Sequence, residues 1–460
     1  MKIEKLYETS KDTEKRISLI EAGKRISKNE IYPSCSILLN SEKVFQTFKG
    51  FGGAVTESSG YVISKLPETV RQNIVASYFN SEKGNGYTIA RTHMNSCDFS
   101  LENWACVPKK DETLNSFSME RTDCYITPLL KSADEESNHM LDILISPWSP
   151  PYWMKTNNDM NHGGKLLPQY KQLWANYFVK FIKELQKRNL TPTYVTVQNE
   201  PAAVQAWDSC EWSAEEEGEF ATKYLGPSLE KSNFSKTKVL VWDHNRDLLL
   251  KRFTDSMKIK DADKYIAGAA YHWYSGDQYE NVKTISNLYP EKELFFTEGC
   301  VEGGPRNGAW FTGERYAHNI INDLNNGCTA WIDWNILLDM QGGPNHVGNF
   351  CDSPVLADLK TGNVFYQSSY YYIGHFSRFI KPGAKRVQLT IEPYLVPAAV
   401  DGKMGNTMEA TAFKNIDGTI ALVVVNRTEA DMNYILKTNE SEQILFCPPR
   451  SIQTLILKEE

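Results

Sequence analysis

The sequence predicts a (β/α)8 TIM barrel with a β-rich side module, and three observations carry that prediction. Eight short apolar or β-branched runs alternate with segments of helical periodicity over roughly 330 residues. None of the early runs is followed by the GxGxxG spacing that a doubly wound nucleotide-binding sheet would need; "FGGAV" has neighbouring glycines only. Beyond about residue 380 the strands continue but the helices stop.

In chain order the eight runs are "FKGFGGAVTES", "GYTIARTHMNS", "LDILISPWSPP", "PTYVTVQNEP", "KVLVWDHN", "IAGAAYHWY", "ELFFTEGC" and "CTAWIDWNILLD". Between them, "LPQYKQLWANYFVKFIKELQKRN" is the clearest helix, with Leu173, Tyr177, Phe181 and Leu185 at four-residue steps on one face. Trp174 and Tyr177 in this helix read as core. Ser213 ahead of three glutamates is a helix N-cap signal. "PETVRQNIVASYFN" opens on a proline suited to a first helical turn, and "GERYAHNIINDLNNG" closes on a C-cap glycine.

After the barrel, "RVQLTIEPY", "MEATAFKNIDGTIALVVVNRT", "MNYILKTN" and "SIQTLILK" read as strands, with Asp417-Gly418 as a hairpin turn. The strand-like "SILLNSEKVFQTF" before the barrel is expected to join them. The expected division is therefore 1–45 as an N-terminal contribution to the side domain, 46–378 as the barrel and 379–460 as the side domain proper.

Bulk properties exclude several classes. The 460 residues carry a net charge of -7 and no basic block comparable to a phosphate footprint, so no nucleic-acid partner is expected. The longest apolar stretches fall far short of the roughly 18 residues that span a bilayer. The N-terminus is charged, mixed in sign and without an apolar h-region, which makes a cytoplasmic location the expectation. Nine cysteines without CxxC or Cys/His clustering suit free, mostly buried thiols in a reducing compartment.

In such a barrel the chemistry gathers at the C-terminal strand ends. The second strand brings Arg91 and then Asp98, and the third brings Trp148 and Trp153. The fourth brings Asn199 and Glu200, and the sixth His272, Trp273 and Tyr274. The seventh brings Glu298, and the eighth Asp333, Trp334 and Asn335. Two glutamates at the fourth and seventh strand ends face each other across the ring, among aromatic side chains that suit the apolar faces of a sugar. Retaining cleavage of a glycosidic bond needs one carboxylate nucleophile and one carboxylic acid, about 5–5.5 Å apart. Rim salt bridges are the other reading of the same pair. Arg91 either orients a carboxylate or simply pairs inside the barrel. His272 reads as a hydrogen-bonding wall residue, since no HxH or HExxH ligand set accompanies it, and neither metal nor cofactor is expected. Glu57 near the first strand end reads as structural.

At these residues the sequence resembles glycoside hydrolase family 30, the group that includes lysosomal glucosylceramidase and microbial β-1,6-glucanases. The resemblance runs from "FKGFGGAVTE" through "RTHMNSCDFS", "SPWSPPYWMKTN", "TVQNEP", "YHWY", "FFTEGC" and "WIDWNILLDMQGGPNHVGNF" to "YYYIGHFSRFI". It implies a barrel with a β-sandwich side domain and a double-displacement mechanism, with Glu200 as acid/base and Glu298 as nucleophile. By motif position Asp98, Trp148, Asn199, Trp334 and Asn349 correspond to residues that hold the sugar before the cleaved bond. Tyr274 matches a tyrosine near the nucleophile, with Trp273 beside it. His346 and Gly348 after "GGPN", and Glu57 in place of a usual Asp, depart from the pattern.

The expected function is a retaining, exo-acting β-glycosidase on β-D-glucosides, with a carboxylate at Asp98 favouring a glucose-type sugar. Endo-β-1,6-glucanase is the alternative, followed by glucosylceramidase or β-xylosidase/xylanase. A catalytically inactive carbohydrate-binding barrel is the reading from another class, against which the presence of both glutamates argues. The expected partner is a β-glucoside or β-glucan-derived carbohydrate.

Overall fold

Eight parallel strands close on themselves: β1 (Gly50–Ala54), β2 (Ile89–Met94), β3 (Asp142–Pro147), β4 (Tyr194–Thr196), β5 (Lys238–Asn245), β6 (Ile266–His272), β7 (Glu293–Glu298) and β8 (Ala330–Asn335). The computed structural model describes residues 1–20, 33–393 and 408–458. Each expected run supplies one strand, and β7 and β8 pair to complete the ring with β1. The strands are buried almost throughout, as parallel strands covered on both faces must be. Inside, Ile89, Leu144, Tyr194, Leu240, Phe295 and Ile332 form a packed core, so the barrel is filled rather than hollow. At Gly268 an added Cβ would lie 1.8 Å from the Glu293 carbonyl oxygen, so the approach of β6 to β7 requires glycine.

One strand departs from regularity where it matters. In β5 the backbone turns left-handed at Trp242 (φ 77) and Asp243 (φ 53). The register against β6 shifts between Trp242 and His244. This is a bulge near the barrel mouth, a device that re-aims side chains.

The helices follow the sequence signals with small shifts. Helix Lys171–Gln186 buries Trp174, Tyr177, Phe178, Phe181, Ile182 and Leu185, whereas Leu173 is only partly covered. Ser213 forms a complete capping box: the Glu216 amide donates to its Oγ at 3.1 Å, and its own amide donates to Glu216 Oε2 at 2.7 Å. Pro67 stands at the N-cap of helix Glu68–Phe79 rather than inside its first turn.

The side domain is built on a nine-stranded sheet. From edge to edge its strands are Glu442–Cys447, Met432–Lys437, Cys35–Thr47, Lys385–Pro393, Met408–Lys414, Ile420–Asn426, Ser451–Lys458, Lys2–Ser10 and Ser18–Ile20. The strand expected before the barrel does join, pairing with Lys385–Pro393. Tyr394, at the end of expected "RVQLTIEPY", lies outside the described residues. The Asp417-Gly418 hairpin forms, with Lys414 opposite Ile420 and Gly418 at φ 84. Ile37, Leu39, Leu422, Val424, Tyr434 and Leu455 fill the sheet's apolar face.

By their contacts, Met1–Gly50, Gly308–Thr329 and Tyr366–Glu460 form one compact unit, and Phe51–Asn307 with Ala330–Phe365 the other. Helices Phe311–Asn325 and Ser368–Ser377 thus group with the sheet. The Asn325 amide donates to the Ala410 carbonyl at 2.9 Å, and the two His375 ring nitrogens lie 2.9 Å from Thr454 Oγ1 and Thr9 Oγ1. No helix among the described residues is long and apolar enough to cross a membrane.

Candidate active site

Glu200 follows β4 in a backbone conformation that non-glycine residues rarely adopt, with φ 47. Its amide donates to the Asp243 carbonyl at 3.0 Å, and the Asn199 amide donates to the Pro147 carbonyl at 2.8 Å, so neighbouring strands hold the turn. Such strain, of order 1–3 kcal/mol, persists where surrounding structure enforces it, and it gathers at functional sites. Glu298 ends β7, paired with His272 at the end of β6.

A buried guanidinium ties the two glutamate environments together. Arg91 Nη1 donates to Glu298 Oε2 at 2.6 Å, and its Nη2 donates to Asn199 Oδ1 at 2.7 Å and Asp243 Oδ2 at 2.9 Å. Burial works against the Arg91 charge, but Asp243 and Glu298 outweigh it and raise its proton affinity. Because Asn199 uses its oxygen on Arg91, its amide N–H2 is left for the pocket it lines. Tyr274 donates its hydroxyl to Glu298 Oε1 at 3.1 Å.

Asp243 is the second hub. Besides Arg91 it accepts from Ser146 Oγ and Thr196 Oγ1 at 2.8 Å each and from Thr297 Oγ1 at 2.6 Å, and His272 Nε2 lies 3.0 Å from its Oδ1. Burial pushes its carboxyl up, but Arg91 and His272 hold it well below the ordinary carboxylate range. His272 Nδ1 in turn lies 3.3 Å from Glu200 Oε1, and His244 Nε2 lies 3.7 Å from the same oxygen.

The two glutamates differ in environment. For Glu200 burial raises the proton affinity, but the His272 hydrogen bond and the His244 and His272 charges carry the net displacement downward. For Glu298 burial raises it, His272 and Arg91 oppose, and the Glu200 charge adds, with a net upward displacement. Each of the two carboxyls and His272 thus shifts the proton affinity of the others. The donors differ in kind: Glu298 accepts at 2.6 Å from Arg91, a fixed cation, and at 3.1 Å from Tyr274, which suits an ionised carboxylate, while the nitrogens facing Glu200 are longer contacts from imidazoles and an amide.

The pocket over these groups has a volume of about 260 Å³ and is lined by Asp98, Trp148, Asn199, Glu200, Tyr274, Glu298, Trp334 and Asn349, with Gln205, Trp207, His244 and Cys300 among the others. Trp148 and Trp334 stack at 5.4 Å with Arg91 over both rings. Asp98 accepts from Asn349 Nδ2 at 3.1 Å and Asn345 Nδ2 at 3.2 Å, and its own carbonyl accepts from the His346 amide at 3.2 Å. Burial, reinforced by the Glu298 charge, pushes the Asp98 carboxyl up to about 8.

Most of the residues expected from the sequence meet here, but Trp273 and His272, both expected to contact the substrate, do not line the pocket. Trp273, expected beside the sugar, faces away: its indole N–H donates to the Cys300 carbonyl at 3.1 Å and its ring packs on Phe296 and Trp331. Strand alternation is the reason, since His272 before it points inward. His272 itself stands behind Glu200 rather than lining the pocket. Trp153 donates to the Val107 carbonyl and packs edge-on against Tyr170. Glu57 is buried and held by Trp104 Nε1 at 2.8 Å and Arg121 Nη2 at 2.7 Å, a structural arrangement. Asp243 and His244 were missed although "KVLVWDHN" carries them at a strand end, the place the rule inspects.

The charge pattern predicts a pH dependence of stability. Burial lowers the affinity of His272 for a proton, but Glu298, Asp243 and Glu200 outweigh it and raise the ring from 6.5 to about 9. Its contribution is fully present below pH 6.5 and lost as pH rises through 9, because the folded state binds the extra proton. Asp98, raised to about 8, acts with the same sign, since the folded state keeps a proton that the unfolded chain releases. His375, held down to about 3 by burial, works the other way only below pH 6.5. The melting temperature should therefore fall between pH 6.5 and 9 in thermal unfolding scans; a rise there would contradict the assignment.

Two carboxyls in unlike environments, one held by fixed donors and one facing imidazoles, under a small pocket with aromatic walls and a polar end, suit the breaking of a glycosidic bond. Comparison with known proteins gives the family. The model of the glycosyl hydrolase family 30 TIM-barrel domain matches residues 48–380, and that of the family 30 beta sandwich domain matches residues 383–455. Lysosomal acid glucosylceramidase of Mus musculus is 35% identical over 416 residues, 86% of this chain and 78% of that protein. The structure of SrfJ from Salmonella typhimurium aligns with a TM-score of 0.91 and 33% identity over 99% of each chain. An endo-beta1,6-glucanase structure aligns with a TM-score of 0.85 and 28% identity, again over 99% of each. The chain belongs to glycoside hydrolase family 30.

Proposed function

We propose that the chain is a retaining, exo-acting β-glycosidase that hydrolyses β-D-glucosides through a covalent glycosyl-enzyme intermediate. The observation that carries the reading is the asymmetry of the two glutamates. Arg91 and Tyr274 hold Glu298 as a carboxylate aimed at the pocket, which suits the nucleophile. Glu200, facing His272 and His244, is the acid/base. In the first step a Glu298 oxygen bonds to the anomeric carbon while the bond to the leaving oxygen breaks and Glu200 gives that oxygen its proton. In the second, Glu200 takes a proton from water as the water oxygen displaces Glu298. The Asn199 amide suits a hydroxyl beside the reacting carbon, and Trp148 and Trp334 suit the sugar's apolar faces.

The pocket is small, about 260 Å³, and Asp98 in its lining is held by Asn345 and Asn349, which supports exo action. The endo-β-1,6-glucanase reading is favoured by the likeness to a structure of that activity. Hydrolysis of a chromogenic β-glucoside by wild type and not by Glu298→Gln tests the enzyme reading; equal negligible release from both would support the inactive binding barrel. Products from gentiobiose and longer β-1,6-glucan separate exo from endo action. Asp98→Ala should lower kcat/KM on an aryl β-glucoside roughly 10- to 10²-fold, the loss of one or two hydrogen bonds worth ~0.5–1.5 kcal/mol each. An aryl β-xyloside, which lacks the hydroxymethyl group, should lose less. Equal losses on both would remove Asp98 from sugar selection.

A further inference from the structure

The β5 bulge has a chemical consequence at Glu200. With the backbone left-handed at Trp242 and Asp243, the consecutive side chains of Asp243 and His244 both reach the site instead of alternating across the strand. Asp243 thereby meets His272 Nε2, and His244 comes to line the pocket. Two ring nitrogens, His272 Nδ1 at 3.3 Å and His244 Nε2 at 3.7 Å, converge on the single oxygen Oε1 of Glu200. Its other oxygen accepts from the Gln205 amide at 3.5 Å. The two imidazoles stand edge to face at 6.4 Å, and His244 packs at 5.0 Å against Trp242.

We infer that His244 and His272 form a two-imidazole clamp on Glu200 Oε1, which fixes the orientation of that carboxyl and keeps a cation against it through both steps of the reaction. The inference rests on the reading of Glu200 as acid/base. Both histidines act through Glu200 and are positioning residues. His272 donates one N–H to the Asp243 carboxylate and points the other toward Glu200 Oε1, and with the Glu298 charge also near it the ring stays an imidazolium whether or not Glu200 carries its proton. When Glu200 gives its proton to the leaving oxygen, the new carboxylate forms against an existing cation, so no charge is created unpaired in a buried site. When it later takes a proton from water, the same imidazolium keeps the carboxyl from holding that proton too firmly to give it up in the next cycle. The charged and titratable groups around the clamp are Glu200, Asp243 and Glu298 about His272, and Glu200, Asp243, Asp247 and His272 about His244. Arg91 stands behind Asp243.

The test compares pH profiles of kcat/KM on an aryl β-glucoside for wild type, His272→Gln, His244→Gln and Glu200→Gln. Loss of a cation beside a carboxyl raises its proton affinity, so the alkaline limb should move to higher pH by about one pH unit or more in His272→Gln. Burial lowers the proton affinity of His244, so His244→Gln removes a neutral ring and should move the limb less, in the same direction. A loss confined to KM, or a uniform loss with both limbs in place, would overturn the inference. Glu200→Gln should abolish the alkaline limb. If it does and the histidine variants leave their limbs unmoved, the clamp alone fails; if the limb survives in Glu200→Gln, the acid/base assignment itself fails. Should His272→Gln not fold, nitrogen NMR of the wild-type histidines decides. A His272 ring protonated on both nitrogens at pH 7 supports the clamp. Trapping with a 2-deoxy-2-fluoroglucoside should move its titration to lower pH, because the ester removes the Glu298 charge. A His272 ring that is already neutral at pH 7 would overturn it.

Discussion

Glu298→Gln is expected to lower kcat/KM on an aryl β-glucoside by roughly 10⁴-fold or more, about 5.5 kcal/mol of lost transition-state stabilisation. An amide of the same shape cannot form the glycosyl ester, so the loss falls on the chemical step and not on KM. The fold should survive: Arg91 keeps Asp243 and Asn199 as partners, and the amide oxygen can still accept from it. A melting temperature within a few degrees of wild type would show that activity was lost at constant structure. The stereochemical check is sharper. In Glu298→Ala, azide can enter the vacated space and attack the anomeric carbon directly while Glu200 protonates the leaving oxygen. One displacement inverts, so the product should be the α-glucosyl azide. A β-product from this variant, or undiminished turnover by Glu298→Gln, would sink the nucleophile assignment.

How much of this was readable beforehand depends on whether a feature is local. The barrel strands announce themselves because buried parallel strands are short apolar runs that end in polar residues, as "YVTVQNEP" and "ELFFTEGC" do. Glu200 and Glu298 could thus be placed without coordinates. Trp273 was misplaced because a strand end that keeps its alternation past His272 turns the next residue outward. Asp243 and His244 were overlooked for the opposite reason. Left-handed backbone at a tryptophan and an aspartate has no residue signal of the kind glycine gives, so nothing in "VWDHN" announces the bulge. Within the expected N-terminal segment, Lys2–Ser10 was not singled out as a strand, because its partner, Ser451–Lys458, lies at the other end of the chain. Pairing of that range leaves no local pattern to read. The grouping of helix Phe311–Asn325 with the sheet is hidden likewise, since it rests on contacts such as Asn325 with Ala410.

Glu200→Ala should separate the two steps that Glu298→Gln collapses together. Loss of the proton donor costs little when the leaving group is a good anion, such as a dinitrophenolate, and roughly 10²–10⁴-fold when it is a poor one, such as an alkyl alcohol. A plot of kcat/KM against leaving-group acidity should therefore steepen from wild type to variant. With good leaving groups the first step remains fast, but water now attacks without a base, so the glycosyl-enzyme accumulates and kcat falls. Azide needs no base. Added azide should raise kcat and yield the β-glucosyl azide, because two displacements at the anomeric carbon restore its configuration. The opposite azide products of the Glu200 and Glu298 variants then assign the two glutamates independently of the likeness to known enzymes. An α-azide from Glu200→Ala would contradict the retaining mechanism, and a leaving-group slope equal to wild type would remove Glu200 from the proton transfer. The surrounding structure makes the test clean, because His272 keeps Asp243 as its partner when the Glu200 carboxylate is gone. The left-handed backbone at residue 200 is held by the Asp243 carbonyl through the main-chain amide, which alanine retains. The alanine variant thus removes one carboxyl group while leaving Asn199, Arg91 and Glu298 in place, and any change in the stereochemistry of the product reports on that group alone.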